Sequence, residues 1–407
     1  MTAARAGSST RPGIIMPHLM TDVDKRYRGI DKGVRTATDF TYYSDMSLWD
    51  TYRTFHPLAN LLFPDFQRDF LHSLVQMAED GGSLPRWPLS VGYGGSMLGN
   101  SAANVFADAM LAGSPDFPLE KAYEAARRVS MGDVPEGKPG LSGLDPYLTH
   151  GYVPDDVVGG AVARTLEYST NDACIAKMAE ALGRTEDAAA FGARSKYYAN
   201  TFDAQGGFFA PKNLDGTFAN YSPTSLESPF VEGTAWHYLF MVPHDVPGLI
   251  TTLGGTDTFV SRLEEFMVEA ENTHNPILPN AWYYHGNEPD LLASFLFTHA
   301  GRRDLTAKWT AWIADHWYAL TPGGMAGNDD GGTLSSWYVF AASGLYPLSC
   351  TGEYTLGDPL FDRVVWHLPG GDLVIEQSAD EPTLGGTAWT KPSIPHTRLV
   401  NGAELRL

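Results

Sequence analysis

Apolar positions recur at three- and four-residue spacing along most of the chain, the period of helices that turn one face inward. Over 63–79, Phe66, Phe70, Leu71, Leu74 and Val75 share such a face, and Gly81 and Gly82 stop the pattern. The same period predicts helices over 100–112, 119–129, 257–270, 291–299 and 303–320. Residues 155–168 and 172–182 read as a helical hairpin, and 185–202 as a further helix capped by Thr185. The Gly- and Pro-rich stretch 131–150 reads as a long surface loop. About a dozen helices are expected, with no strand before Tyr346. After Pro347 the period shortens to two. Residues 361–368 and 373–377 flank Pro369-Gly370-Gly371-Asp372 as a β-hairpin. The fold class is therefore mainly α, a toroid of helical hairpins in an inner and an outer ring, with a short C-terminal β region. The expected divisions are a disordered lead-in over 1–12, a helical barrel over 13–345 and a partial β unit over 346–407.

Several polar stretches interrupt this pattern, and most sit where a loop enters a helix. Gly327-Asn328-Asp329-Asp330-Gly331-Gly332 places two adjacent carboxylates in a glycine-rich loop before the apolar run 333–340. Glycine lets such a loop bend tightly, and the helix start aims free N–H groups at it. A plain helix cap is the simpler use of an aspartate there. Glu232 precedes the helix that begins near Thr234, and His285-Gly286-Asn287-Glu288-Pro289 precedes another. Trp49, Asp50 and Arg53 fall within one helical turn. They suit a sugar cradle, or equally a buried Asp–Arg pair under a Trp. In a toroid the inner helices run the same way, so these loops converge at one mouth. Glycoside hydrolysis needs such a meeting of carboxylates, one to protonate the leaving oxygen and one to activate water.

Composition narrows the partners. Hydrophobic residues are 43% and charged residues 19% of the 407, which is globular. No run of about eighteen apolar residues occurs, so no membrane insertion is expected. The net charge of −20 argues against a nucleic-acid partner. Aromatics at 12%, with 10 Trp and 19 Tyr, fit a carbohydrate enzyme as well as a large helical core. The two cysteines, Cys174 and Cys350, suggest neither a disulfide framework nor a zinc site. Residues 1–11 lack the apolar run of a signal peptide.

Taken together, Ser47-Leu48-Trp49-Asp50-Thr51-Tyr52-Arg53, Thr165-Leu166-Glu167-Tyr168, Glu232-Gly233-Thr234-Ala235-Trp236, Val242-Pro243-His244-Asp245, Gly286-Asn287-Glu288-Pro289-Asp290 and Gly327-Asn328-Asp329-Asp330 through Ser336-Trp337-Tyr338 carry a resemblance. The chain resembles glycoside hydrolase family 92, the calcium-dependent exo-acting α-mannosidases. The resemblance implies an (α/α)6 barrel, inversion at the anomeric carbon, a Ca2+ ion that grips two mannose hydroxyls, a mannose-containing glycan as substrate, and secretion. It implies Glu232 as general acid, Asp330 as general base, and Asp329 as the residue that places the water, with the choice between the two aspartates open. Asn287 and Glu288 are implied as metal ligands, and Trp49, Asp50, Arg53 and His285 as substrate contacts. The family's usual N-terminal β-sandwich does not precede this barrel, as expected of a fragment or a reduced member. Its Gly-Asp-His is replaced here by Gly99-Asn100-Ser101. A silent sugar-binding barrel and another (α/α)6 glycosidase stand as the alternatives.

Overall fold

The structure, a computed structural model, describes residues 17–113, 116–226, 229–275 and 280–407. The lead-in over 1–12 lies outside them. The described chain is mainly helical, an (α/α)6 toroid with a C-terminal β region. Its helices are α1 (Leu48–Thr51), α2 (Phe55–Leu62), α3 (Pro64–Gly81), α4 (Ser101–Leu111), α5 (Leu119–Met131), α6 (Leu144–His150), α7 (Ala161–Ala181), α8 (Thr185–Arg194), α9 (Ala235–Tyr238), α10 (Val246–Thr252), α11 (Thr256–Asn272), α12 (Arg303–Trp317) and α13 (Thr333–Ala342).

Local chemistry explains some of the ends. Proline opens α3, and Gly82 closes it in the left-handed region at φ 84°. Asp245 caps α10 by accepting from Gly248 N at 3.1 Å. Four expectations are corrected. The helical hairpin over 155–182 is one continuous helix, α7. Asn171 and Asp172 do not break it, because each has a tertiary partner: Asn171 accepts from Asn100 N at 2.7 Å, and Asp172 is clasped by Arg194 at 2.8 Å. The loop over 131–150 contains α6, and Thr185 begins α8 without capping it. Short antiparallel pairs do occur before Tyr346: Arg26–Arg28 with Val34–Thr36, and Phe202–Asp203 with Phe208–Phe209, among others.

The C-terminal hairpin appears as Arg363–Leu368 and Gly371–Glu376. The second strand lies parallel to Ala403–Arg406, which fills the middle of a five-stranded sheet. That sheet shares a hydrophobic cluster with the helices, in which Leu58 and Leu61 of α2 and Phe340 of α13 meet Leu373, Ile375 and Leu405. Cys174 of α7 is disulfide-bonded to Cys350 beside the β region, across 176 positions. Two cysteines, too few for a disulfide framework, thus form a single bridge. Asp108 of α4 completes the junction, accepting from Cys350 N at 2.6 Å and Ser349 Oγ at 2.9 Å. No helix among the described residues is long and apolar enough to cross a membrane.

Candidate active site

Glu232 stands one turn before α9. Thr234 caps that helix, accepting from His237 N at 3.4 Å while its own N–H reaches His237 Nδ1 at 3.2 Å. Burial lowers the His237 pKa to about 4, so the ring is neutral. Its Nε2 donates to Trp282 O at 2.7 Å, which leaves Nδ1 as an acceptor. Asn287 Nδ2 donates to that same Nδ1 at 3.0 Å. The Asn287 amide is thereby oriented with its nitrogen committed. Gly233 permits this approach, since a Cβ there would stand 3.2 Å from His237 Nδ1 and 3.3 Å from Asn287 Nδ2.

Asn287 opens a short 3-10 turn, Glu288–Asp290. The Asp290 carboxylate accepts from Tyr284 N at 2.9 Å and so closes the loop upon itself. Facing it is the Asp329-Asp330 loop. Gly331 rests on α1, where a Cβ would meet Ser47 Oγ at 2.8 Å and Thr51 Cγ2 at 2.9 Å. The two aspartates divide their work. Asp329 accepts from Ser335 N and Ser335 Oγ, each at 2.8 Å, and so satisfies the start of α13. Asp330 instead faces the Glu288 carboxyl, and the two groups act on each other electrostatically. Glu232 and Asp330 both hold left-handed backbone, at φ 52° and 46°.

The electrostatics join four carboxyls from four segments. Burial, then the Asp330 charge, raises the Glu232 carboxyl, although Glu232 keeps an exposed face. Burial and Asp330 push Asp50 to about 8. Burial, then Asp50 and Asp330, push Glu288 well up. Burial raises Asp330 as well. The nearest compensating cation is Arg53, but it is already paired with Glu167 at 3.0 Å. Glu167 Oε1 also accepts from Trp49 Nε1 at 2.9 Å, and the Arg53 guanidinium lies 4.8 Å from the Trp49 ring.

The sequence-derived residues therefore separate. Asp50, Glu232, Glu288 and Asp330 come together, with Asn287 and Asp329 beside them. Trp49 and Arg53, 1% and 5% exposed, form a buried support around Glu167, and the buried pair of that turn is Arg53–Glu167 and not the Asp–Arg pair that its sequence suggested. His285 is corrected outright as a direct substrate contact. It is fully buried, accepting from Tyr283 OH at Nδ1 and donating from Nε2 to Tyr318 OH, each at 2.7 Å. Its place at a helix mouth did not reveal that two tyrosines enclose it. Glu167, His237 and Asp290 were missed as supporting residues. A charged residue inside the apolar face of α7 was the signal for Glu167; nothing local marked His237.

Residues 13–407 match the sequence model of the glycosyl hydrolase family 92 catalytic domain. The chain belongs to glycosyl hydrolase family 92. Among solved family 92 structures, it resembles the alpha-mannosidase BT3965 from Bacteroides thetaiotaomicron in complex with mannoimidazole, with TM-score 0.88 and 28% identity over 96% of this chain and 54% of that one. It also resembles the inverting mannosidase BT2199 from the same organism, with TM-score 0.87 and 30% identity over 96% of this chain and 56% of that one. An uncharacterized secreted glycosidase of Arthroderma benhamiae is 29% identical over 92% of this chain and 52% of its own length. The chain thus spans about half the length of the curated relative and solved structures it matches.

The Ca2+ that family 92 membership implies can be tested against the side chains. Among the described residues no group of three or more His, Cys, Asp or Glu forms a self-sufficient cage. Oxygen donors are nevertheless left without partners: Glu288 Oε1 and Asp50 Oδ2 are buried with no hydrogen bond. The Asn287 amide nitrogen is taken up by His237, which leaves its oxygen. Hard oxygen ligands and uncompensated negative charge fit a calcium ion whose remaining ligands are water or sugar hydroxyls.

Proposed function

We propose that the chain is an exo-acting α-mannosidase that hydrolyses terminal α-linked mannose with inversion and calcium assistance. The meeting of Glu232, Asp330, Asp50 and Glu288 at one opening supports this reading most directly. Glu232, raised in pKa and open to solvent, protonates the glycosidic oxygen as the bond from the anomeric carbon breaks. Asp330 takes a proton from water, whose oxygen attacks that carbon from the opposite ring face. Inversion requires the two carboxyls to stand about 6.5–9.5 Å apart so that water fits between them. Asp329, held by Ser335, fixes the loop that aims Asp330; this supports Asp330 as the base. Asn287 and Glu288, with Asp50 beside them, would hold Ca2+, which supplies positive charge to the cluster and a grip on two ring hydroxyls. Mannose-containing glycans, with α-1,2 or related linkages of N-glycans or mannans, are the proposed substrates.

Secretion is proposed as well. Its supports are the secreted relative and the Cys174–Cys350 disulfide, since disulfides persist in oxidising compartments. The division at 345/346 is proposed as an architectural seam only, because Leu58 and Phe340 pack into the sheet's core.

The deciding experiment is hydrolysis of an aryl α-mannoside, with and without EDTA, with the product anomer followed by NMR. Release of β-mannose that stops on chelation is expected. Undiminished turnover in Glu232→Gln removes the acid assignment. Mannose binding without hydrolysis would instead favour the silent barrel.

A further inference from the structure

We infer that the chain carries a second carbohydrate-binding site in a cleft of about 670 Å³ between the helical body and the C-terminal strands. His299 and Arg303 form one wall; Asp380, Glu381, Trp389 and Lys391 form the other. The cleft is distinct from the carboxylate opening. Glu288 begins the segment that continues through the 3-10 helix Ala293–Ala300, and the cleft starts at that helix's far end. At about 2 Å rise per residue, His299 lies roughly 20 Å along the segment from Glu288.

The lining is preorganised where a sugar needs rigidity. Arg303 is fixed by Asp358, whose Oδ1 accepts from Nε at 2.7 Å and lies 2.6 Å from Nη2. Trp389 donates from Nε1 to Ser393 O at 3.0 Å and packs against the cluster beneath the sheet. Half-buried, it also lines the cleft, where an indole can offer an apolar face to a sugar ring; the Arg398 guanidinium lies 6.0 Å from its ring centroid. Around it Asp380, Glu381 and Lys391 are exposed and form no ion pair among the described residues. Their charges, with the neutralised Arg303–Asp358 pair, leave no positive excess for a phosphate or other strong anion. A neutral polyhydroxylated ligand suits this lining, and the volume falls within the usual range for a specific small-molecule site. Naming mannose oligosaccharides as the ligand rests on the proposed glycosidase reading.

The test is calorimetric titration of an α-linked mannooligosaccharide into Glu232→Gln, which retains bound substrate at the first site. Two sites are expected. Adding Trp389→Ala should weaken one of them about tenfold or more. Glu381→Gln with Lys391→Ala, both at exposed positions, should weaken the same site without disturbing folding. On the otherwise unaltered chain, these changes should leave aryl α-mannoside turnover intact. A single site in Glu232→Gln, unchanged by either set, overturns the proposal, as does equal loss of aryl mannoside turnover. If Trp389-dependent binding persists while the unaltered chain hydrolyses no mannoside, the cleft stands and the catalytic reading falls.

Discussion

Glu232 and Asp330 are held in a backbone conformation that side chains with a Cβ resist, and such strain collects at functional sites. Replacing either with glycine should abolish turnover yet stabilise the fold by roughly 1 kcal/mol, readable as a rise in melting temperature. Asp329 and Asp330 should part company in the same assay. Asp330→Asn is expected to lose roughly 10²–10⁴-fold in kcat with little change in melting temperature. Asp329→Asn, by loosening the contacts to Ser335, should cost about 1 kcal/mol of stability. Asp108 offers a pH signature away from the site. Burial raises its carboxyl to about 7, so the folded chain holds a proton that the unfolded chain releases near pH 4. Between those values the folded state binds more protons, and stability falls as pH rises. Asp108→Asn should flatten the decline in melting temperature between pH 4 and 7.

At the scale of elements, pattern was readable where local chemistry decided the outcome. Gly82 ends α3 as expected, and the period-two run after Pro347 became paired strands. It failed where distant partners decided. Asn171-Asp172 reads as a break, but Asn100, Tyr147 and Arg194 satisfy those side chains within an unbroken α7. Two-residue strands such as Phe208–Phe209 are too short to carry a period. The loops holding Glu232, Asn287, Glu288 and Asp330 were legible because a carboxylate before a helix start is a local signal. His285 was misread because its enclosing tyrosines include one from 33 positions away. The disulfide gave no local sign either, yet it ties α7 to the β region. Replacing both cysteines with serine should lower stability by roughly 2–5 kcal/mol in thermal unfolding.

For the whole molecule, charge is the governing quantity. In a chain of net charge −20, four mutually repelling carboxyls meet at the opening beside one committed arginine. Ca2+ should therefore raise the melting temperature in a concentration-dependent manner, and EDTA should reverse it. The five-stranded sheet has its own consequence. Its middle place belongs to Ala403–Arg406, made long after the Gly371–Glu376 strand that it flanks. During synthesis on a ribosome, that earlier hairpin must wait with one edge bare while some thirty later positions emerge. A nascent chain paused in that interval offers a template for wrong pairing with its neighbours. Yield in a heterologous host should then respond to translation speed and chaperone supply over residues 377–406.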